Sequence, residues 1–531
     1  MAGGPTAWAR TSPAAAIRPP ASAPNKWLVV AAVTFGTLMG TVDASIVNVA
    51  LPSIQAAFGV SITEVTWIST GYLIAFVIVL PLTGWLASVF GRKTLYQTCL
   101  LIFISASMLA GLAPSLPFLI AARVLQGLGA GVLGPTEQAI LGETFPPEQR
   151  GLATGLYGLV VVLGPTIGPF LGGSITDNFT WRWIFFINLP VGLIGSLMVA
   201  TFVTEPPHIK ARRTAVDPLG IGLMAVGFMS LLIVLEEGNR WDWFTSPLVW
   251  GFGLTAASCL LLFVLWELFG TEAPAVDLRV LANPAFAAAW VSVTLLGFGL
   301  LGALLLQSLF LQEVLGYTPT QTGLAFMPRG LVTMIMSPIS GLLLNRVGPR
   351  LMATAGLTCV STAVFLMSRW TLDTGQLQTI IPLMINGLGL SMLFIPLMTA
   401  GMAAVDRRKL TGAAGLLNLQ LQLGASFGTA VLATMIERGI QRYHALLVEQ
   451  ALPTNSAFSG MVRQLSALLM GRGGSDATTA QRQAVAMVDG IITAQASVLS
   501  FEHAFQIVAL VILFMLVCIP FLRRPGSLNI H

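Results

Sequence analysis

The sequence predicts an all-α polytopic membrane protein with two six-helix bundles, two inserted helices and about 14 transmembrane spans. Hydrophobic residues make up 55% of the 531-residue chain and charged residues only 9%, whereas soluble domains carry about 25% charged residues. Apolar runs of about 20 residues, long enough to cross a bilayer, recur along the chain. A ten-residue pattern also occurs twice, which indicates two related halves.

The apolar runs define the predicted spans. Residues 1–26 are rich in proline and alanine and are expected to form a cytoplasmic tail. The first run begins at Trp27 and has full span length, so we do not interpret it as a signal peptide. The predicted spans cover about 27–50, 64–87, 94–113, 117–143, 151–175, 183–204, 217–236, 247–268, 286–311, 319–344, 351–369, 376–400, 411–435 and 503–522.

Lysine and arginine are unevenly distributed over the loops between these spans. Seventeen fall in segments on one side, whereas the short loops on the other side carry only Arg182, Arg240 and Arg369. Basic residues concentrate in cytoplasmic loops, so both termini are predicted to be cytoplasmic. A long segment at about 437–502 then lies outside, and its stretches 456–470 and 478–499 have helical apolar spacing.

The net charge of +5 does not indicate a nucleic-acid partner, because the basic residues form short clusters between apolar runs. Such clusters are typical of loops beside a lipid bilayer. Cys99, Cys259, Cys359 and Cys518 lie in apolar runs without CxxC spacing. We expect them to be small buried hydrophobic residues, with no disulfide and no metal site.

The repeated pattern joins residues 84–93 to residues 341–350. Glycine, leucine, glycine and a terminal base recur at identical spacing, with Gly84 matching Gly341 and Gly91 matching Gly348. Parallel repeats of this kind characterise a class of secondary transporters; a chance match of two basic turns is the alternative. Six spans in each half predict a bundle at 27–204, a linker with two inserted helices at 205–283 and a second bundle at 284–531.

Several motifs together resemble the major facilitator superfamily, its fourteen-span drug:proton antiporter branch and, within it, EmrB-type multidrug exporters. The motifs are specific in combination, and the similarity runs from about residue 27 to the end. They lie at residues 41–52, 123–129, 164–173, 181–192 and 242–244.

This resemblance implies proton-coupled multidrug efflux across the inner membrane, with hydrophobic toxic compounds exported by alternating access and a role in antibiotic resistance. It implies protons and hydrophobic small molecules as partners, and no cofactor. EmrB-type exporters work with a periplasmic adaptor (EmrA-type) and an outer-membrane channel, so the long outer segment is either a docking surface or a passive lid. A solute importer or facilitator of the same fold is the alternative function.

Patterns typical of enzymes occur only inside the spans. Residues 424–428 match GxSxG and residues 129–134 match GxGxxG, but neither follows the strand that such a site requires. We interpret both as packing faces of small residues. The sequence therefore predicts a transporter and not an enzyme, driven by an ion gradient or a partner.

Asp43 lies deep in the first span, and Arg123 lies in the fourth. Burial in an apolar span favours the neutral carboxyl group, so Asp43 is predicted to carry a proton across, or else to be a structural polar residue. Arg123 must find a carboxylate, a carbonyl group or water. The family resemblance favours a relay with Asp43, and structural packing is the alternative.

Further polar residues lie near this pair or in the thirteenth span. Glu137 is predicted to be a second proton-coupling acid or an attractor of cationic drugs, or else a solvated charge at the cytoplasmic mouth. Four amides, which either bind substrate or bond between helices, are assigned to the substrate pathway: Gln126, Asn418, Gln420 and Gln422.

Two motifs are expected to govern conformational change. The fifth span carries glycines at every fourth position, which permit close helix packing, and prolines, which remove helical hydrogen bonds. The resemblance implies that this span seals the pathway; tight packing alone is the alternative. The predicted conformational residues are Gly84, Gly91, Arg92, Gly164, Pro165, Gly168, Pro169, Gly172 and Gly173. In the repeated pattern at 84–93, Ser88 and Val89 stand where family members often have Asp and Arg. The charged contact that these two residues usually make between the bundles therefore lacks both of them here.

Overall fold

The computed structural model describes residues 25–205, 216–450, 456–473 and 476–522, and the regular structure within these ranges is helical. Most of the predicted tail lies outside the described residues, as do Lys210, Arg212 and Arg213 of the predicted linker. The first helix begins at Lys26, where the Asn25 side chain accepts a hydrogen bond from the Trp27 amide at 3.1 Å.

Eighteen α-helices account for most of the described chain. The first nine are α1 Lys26–Phe58, α2 Ile62–Val65, α3 Trp67–Val79, α4 Thr83–Phe90, α5 Arg92–Gly111, α6 Leu116–Thr144, α7 Arg150–Asn178, α8 Trp183–Phe186 and α9 Asn188–Phe202. The next two, in the predicted linker, are α10 Pro218–Glu237 and α11 Pro247–Leu265. The last seven are α12 Pro284–Leu309, α13 Pro319–Val347, α14 Pro349–Met367, α15 Gln376–Ala403, α16 Leu410–Gln450, α17 Ser456–Gly473 and α18 Ala477–Leu513.

These helices give the chain a multi-pass membrane architecture. Thirteen helical segments of the described residues are long and apolar enough to cross a bilayer. Helix α7 is a further candidate, because it contains a shorter apolar stretch at Arg150–Gly164. The whole helix has 29 residues, more than the roughly 20 that a span requires. With α7 included, the helices match the fourteen predicted spans.

Several spans begin with a proline directly after a capping residue. Asp217 accepts a hydrogen bond from the Gly220 amide at 2.9 Å before Pro218 opens α10. Asn283 accepts one from the Ala285 amide before α12. A capping side chain satisfies a free amide of the first turn, and proline fits there because its missing N–H has no helical partner.

The repeated sequence pattern is also a structural repeat. Gly91 joins α4 to α5 with φ 81° and ψ 157°, and Gly348 joins α13 to α14 with φ 86° and ψ 155°. Both amides close the preceding helix, on Ala87 and Leu344 respectively. Residues with a side chain rarely adopt such a positive φ, which explains why glycine recurs at this position of the pattern.

The first glycines of the repeat lie at two contacts between the halves. A Cβ atom on Gly84 of α4 would lie 2.6 Å from the Cα atom of Gly412 in α16. A Cβ atom on Gly341 of α13 would lie 2.7 Å from the carbonyl carbon of Gly151 in α7. Helix backbones therefore meet without side chains between them at both sites, and the halves are closed at this end.

Arg92 reinforces the contact at the same end. Its side chain is 1% exposed and forms an ion pair with Glu143 of α6, and it donates a hydrogen bond to the Arg407 carbonyl group in the second half at 3.0 Å. Glu205 accepts hydrogen bonds from the amides of Arg92 and Lys93 at 2.7 and 2.9 Å. Arg92 thus connects the halves although Ser88 and Val89 replace the usual charged residues.

The glycines of the fifth span pack against α1, which carries Asp43. A Cβ atom on Gly164 or Gly168 would lie 2.5 Å from atoms of Thr41 or Ser45 respectively, and one on Gly172 would lie 2.9 Å from the Ile46 carbonyl oxygen. A Cβ atom on Gly173 would have no neighbour within 4 Å. The helix continues through this motif, but the side chains of Pro165 and Pro169 lie outside the described residues.

The enzyme-like patterns are packing faces. A Cβ atom on Gly129 would lie 2.8 Å from the Cys99 carbonyl oxygen in α5, and one on Gly428 would lie 2.9 Å from the Phe298 Cα atom in α12. Neither pattern follows a strand, since both lie within helices α6 and α16. Close helix packing therefore accounts for these glycines.

The outer surface of the helices is apolar, as a lipid environment requires. In α11, Leu254, Leu261 and Leu262 are 63%, 61% and 52% exposed.

The expectation that all four cysteines are buried is wrong for three of them. Cys99 is buried, but the other three are half-buried, because an apolar residue of a membrane span need not face the protein interior.

The segment at 437–502, which is predicted to lie outside, is largely helical over its described residues, and two of its helices continue membrane spans. Helix α16 continues to Gln450 and α18 begins at Ala477. Their 41 and 37 residues would extend about 60 and 55 Å, well beyond a hydrocarbon core of roughly 30 Å. Helix α17 packs on α18 through Val462, Ala484 and Val488.

We predict that Gly341→Val opens the closed end. The added methyl groups would meet the backbone of Gly151, and overpacking costs about 1–3 kcal/mol, so closure should weaken by about tenfold. The measurement is the thiol-labelling rate of Ala153→Cys, a 2% exposed position in α7, in a background without the native cysteines. Gly222→Val, where a Cβ atom meets nothing within 4 Å, is the control. An unchanged labelling rate in Gly341→Val would refute this account of the contact.

Candidate functional site

Asp43 lies in the middle of α1 and is 0% exposed. One carboxylate oxygen forms an ion pair with Arg123 of α6. The other accepts hydrogen bonds from the Gln126 amide nitrogen at 2.9 Å and from the Asn188 amide nitrogen at 2.8 Å. Three donor side chains therefore meet the two carboxyl oxygens of Asp43. The structure places together the Asp43, Arg123 and Gln126 side chains that the sequence singled out.

Arg123 has partners for the rest of its guanidinium group. It donates a hydrogen bond to the Gln126 side-chain oxygen at 2.7 Å and one to the Ile68 carbonyl group at 3.4 Å. Its guanidinium carbon lies 4.1 Å from the centroid of the Tyr72 ring, within the range of a cation–π interaction. The arginine is thus held between the carboxylate, an amide and an aromatic ring.

The sequence interpretation missed the residues that complete this network. Asn188 donates a second hydrogen bond to Ser107 at 3.0 Å, and Ser107 donates to the Phe185 carbonyl group at 2.9 Å. Asn188 lies in the motif at 181–192, so an amide on an apolar span was available as a signal. Ser107 and Tyr72 have no such signal, because isolated hydroxyl groups are common in membrane helices.

Glu137 lies farther along α6 and is also 0% exposed. One of its oxygens accepts a hydrogen bond from Thr34 at 3.4 Å. Its other oxygen is buried without a hydrogen-bond partner among the described residues. The solvated charge considered from the sequence is therefore wrong, because the side chain is fully buried.

A cavity of about 560 Å³ lies beside this network, between the two halves. Its walls come from α1, α3, α6 and α7, from α12, α13, α15 and α16, and from α10 of the inserted pair. Its size is within the range of about 300–1,000 Å³ that is typical of small-molecule sites. Arg123 lines the cavity, and Asp43 lies behind it.

The four amides assigned to the substrate pathway separate into two groups. Asn418 and Gln422 of α16 line the cavity. Gln126 belongs to the Asp43 network, and Gln420 accepts a hydrogen bond from Thr294 of α12 at 2.9 Å. Asn418 also accepts one from the Tyr157 hydroxyl group of α7 at 3.1 Å, so it connects the halves as well as facing the cavity.

Two charged residues of the cavity were not assigned from the sequence. Glu236 lies near the end of α10, and Arg329 lies within α13. Arg329 is 7% exposed and donates a hydrogen bond to Gln307 at 2.9 Å. The cavity therefore combines apolar walls with a small number of polar and charged side chains, as ligand sites do.

The fold and this central cavity are those of a membrane transporter, and the chain belongs to the Major Facilitator Superfamily, whose family model matches residues 33–429.

Two curated relatives illustrate the similarity over nearly the whole chain. The multidrug export protein EmrB of Escherichia coli (strain K12) is 32% identical over 500 residues, which cover 94% of this chain and 95% of the relative. The fatty acid resistance protein FarB of Neisseria gonorrhoeae is 33% identical over 492 residues, which cover 92% and 94%.

Solved structures share the fold at lower sequence identity. The human organic anion transporter MFSD10 is 14% identical with a TM-score of 0.59, and covers 92% of this chain and 100% of its own. The proton:xylose symporter XylE is 13% identical with a TM-score of 0.57, and covers 92% and 96%. These similarities concern the arrangement of the helices only.

We predict that Arg123 and Asp43 are energetically coupled. Arg123→Leu leaves a buried carboxylate without its cation, which should destabilise the protein by about 3–5 kcal/mol. Adding Asp43→Asn removes the charge, so the double variant should recover most of that loss. The measurement is the free energy of unfolding from denaturant titration in mixed micelles.

Arg182→Leu is the matched control for this cycle. Arg182 donates hydrogen bonds to the carbonyl groups of Gly111 and Ala113 and, within the described part of the chain, to no carboxylate. Its effect should therefore add to that of Asp43→Asn. Additive effects of Arg123→Leu and Asp43→Asn as well would contradict the proposed coupling.

Proposed function

We propose that this protein is a proton-coupled multidrug exporter, a drug:H⁺ antiporter of hydrophobic toxic compounds in the inner membrane. The observation that carries this proposal is the position of Arg123, which lines the cavity and at the same time forms an ion pair with buried Asp43. Its relatives EmrB and FarB carry the names of a multidrug export protein and a resistance protein, which supports export over import.

Arg123 gives a ligand in the cavity a route to the proton site. Of the side chains that contact the Asp43 carboxylate, Arg123 faces the cavity, whereas Gln126 and Asn188 lie behind it. When the cavity is empty, the guanidinium group can turn into it, and the buried carboxylate, without its cation, takes up a proton. A ligand that fills the cavity holds Arg123 against the carboxylate, so the ionised form is stabilised and the proton leaves.

Movement of the halves would expose this site alternately to the two sides. The halves meet at the end that carries Gly84, Arg92 and Gly341, which the charge distribution assigns to the cytoplasm, as it does both termini. Gly91 permits the sharp turn there, and the α7 glycines allow close packing on α1. We infer that these contacts close the cytoplasmic side in the present conformation, and that they separate when the outer side closes.

Glu137 is proposed as a second proton-coupling group. Its carboxyl group is buried against α1, with a hydroxyl hydrogen bond on one oxygen only. An ionised carboxylate without a compensating partner is costly in such surroundings. The group is therefore suited to hold a proton while it is buried and to release it when α1 and α6 move.

Helix α17 and the part of α18 that packs on it form an outer helical hairpin. This hairpin is proposed to dock a periplasmic adaptor, with an outer-membrane channel beyond it. Helices α17 and α18 leave large apolar side chains exposed outside the predicted membrane region, including Met461, Leu468 and Ile491 at 45%, 59% and 49% exposure. Exposed apolar groups in an aqueous segment indicate a contact surface for another protein.

We predict that Asp43→Asn folds, inserts and still binds neutral substrates, but neither releases protons on binding nor drives uphill efflux. The asparagine retains the size of the side chain and still accepts hydrogen bonds through its amide oxygen, but it cannot titrate. The measurements are proton release from purified protein on substrate addition and substrate accumulation in inverted vesicles under an imposed proton gradient.

Glu437→Gln is the control for this variant, because Glu437 is an exposed acid of α16 that accepts a hydrogen bond from Asn239. It should release protons as the unmodified protein does. Glu137→Gln should have a partial effect. Proton release by Asp43→Asn at the unmodified stoichiometry would show that the proton carrier is another residue.

A second prediction concerns the outer hairpin. Met461→Gln, Leu468→Gln and Ile491→Gln together should leave transport in vesicles unchanged, because exposed substitutions usually alter stability by about 0.5 kcal/mol or less. The same triple variant should reduce drug resistance of whole cells, where a partner is required. Gln481→Ala, an exposed residue of α18, is the control. Equal effects of the triple variant in both assays would contradict a docking role.

A further inference from the structure

Glu236 is an acidic residue that the inserted pair contributes to the central cavity. It lies one residue before the end of α10, and its side chain is exposed where it lines the cavity wall. Helix α10 packs against α3 of the first half and α16 of the second half. The inserted pair is therefore part of the cavity, and not only a connection between two bundles.

The Glu236 carboxylate has little to neutralise its charge. It accepts a hydrogen bond from the Ser426 hydroxyl group at 3.3 Å, and among the described residues it forms no ion pair. The neighbouring Glu237 differs, because it is buried and paired with Arg240 at 2.7 Å. An acid exposed to a largely apolar cavity without a cation is suited to bind one from a ligand.

The cations of the cavity are engaged elsewhere. Arg123 is paired with Asp43, and Arg329 donates a hydrogen bond to Gln307 of α12. Neither lies within ion-pair distance of Glu236. The remaining walls include the parallel rings of Tyr72 and Phe76, with centroids 6.0 Å apart, and leucines of α12.

We propose that Glu236 is the cation-binding group of this cavity, and that the ligands it selects are lipophilic monocations. The positive charge of the ligand lies against the carboxylate, and its apolar groups pack against the leucines and the aromatic rings. This proposal deepens the proposed export function by naming a substrate class. The sequence interpretation considered Glu137 as the residue that attracts cationic drugs. Because Glu137 does not line the cavity, we assign that role to Glu236.

The test compares two ligands of closely similar shape and opposite charge, tetraphenylphosphonium and tetraphenylborate. Their equilibrium affinities are measured on the full-length protein in nanodiscs without any proton gradient. Glu236→Gln should weaken tetraphenylphosphonium binding by about tenfold, as expected for the loss of a charged contact. Binding of tetraphenylborate should be unchanged or stronger.

Two matched variants accompany Glu236→Gln. Glu236→Asp keeps the charge and should retain the preference for the cation. Glu437→Gln removes an acid outside the cavity and should have no effect. The proposal is overturned if Glu236→Gln binds both ions as the unmodified protein does, or if it loses both equally.

A measurement on the unmodified protein tests the same assignment independently of any folding defect in a variant. A hydrophobic carbodiimide modifies carboxyl groups in apolar surroundings, and mass spectrometry identifies the modified residue. Tetraphenylphosphonium should slow the modification of Glu236, whereas tetraphenylborate should not. Equal protection by both ions, or by neither, overturns the proposal.

The binding test is separate from the test of export. If no substrate drives proton release while the preference of Glu236 for the cation persists, then the proposed antiport fails and the cation site stands. If Glu236→Gln retains the cation preference and proton-coupled export of neutral compounds is observed, then the cation site fails and the antiport stands.

Discussion

A carboxylate inside a membrane span is stable only where other protein groups meet its charge, and Asp43 of α1 imposes this condition on four neighbouring helices. Arg123 and Gln126 come from α6, Asn188 from α9, Ser107 from α5, and the Tyr72 ring from α3. Five helices of the first half thus meet around one buried carboxyl group. Arg123 also lines the central cavity, so the cavity wall and the Asp43 ion pair share one side chain.

A second constraint acts at the contact between the halves. Gly84 and Gly341 occupy equivalent positions of the internal repeat, and each places its helix against a glycine of the other half. Contacts between bare backbones are short-ranged, so a small separation removes them. The Arg92 ion pair and its hydrogen bond to the Arg407 carbonyl group add a polar connection at the same end. Such a contact is suited to form and break as a unit, which alternating access requires.

The sequence predicted the membrane class, the spans and the core of the site, because the physical signals are strong there. An acid or an arginine in an apolar run is conspicuous, and Gln126 lies three positions from Arg123, on the same helix face. The pairing with Asn188, 145 positions from Asp43, depends on the packing of α1 and α9, which periodicity does not reveal. Glu236 was missed because its span was assigned to a linker, whereas α10 packs against both halves. The sequence predicted helical stretches at 456–470 and 478–499, but it did not reveal that α16 and α18 continue beyond the predicted spans as single helices.

The central claim is that a ligand in the cavity and a proton on Asp43 exclude each other through Arg123. Coupling between two binding events is reciprocal, so the affinity for a neutral lipophilic ligand must depend on pH. The most direct measurement is the Kd of triphenylphosphine oxide over a range of pH, on purified protein without a gradient. The account predicts that Kd rises as the pH falls, with a slope that approaches one proton per ligand. A Kd that does not change with pH would contradict it.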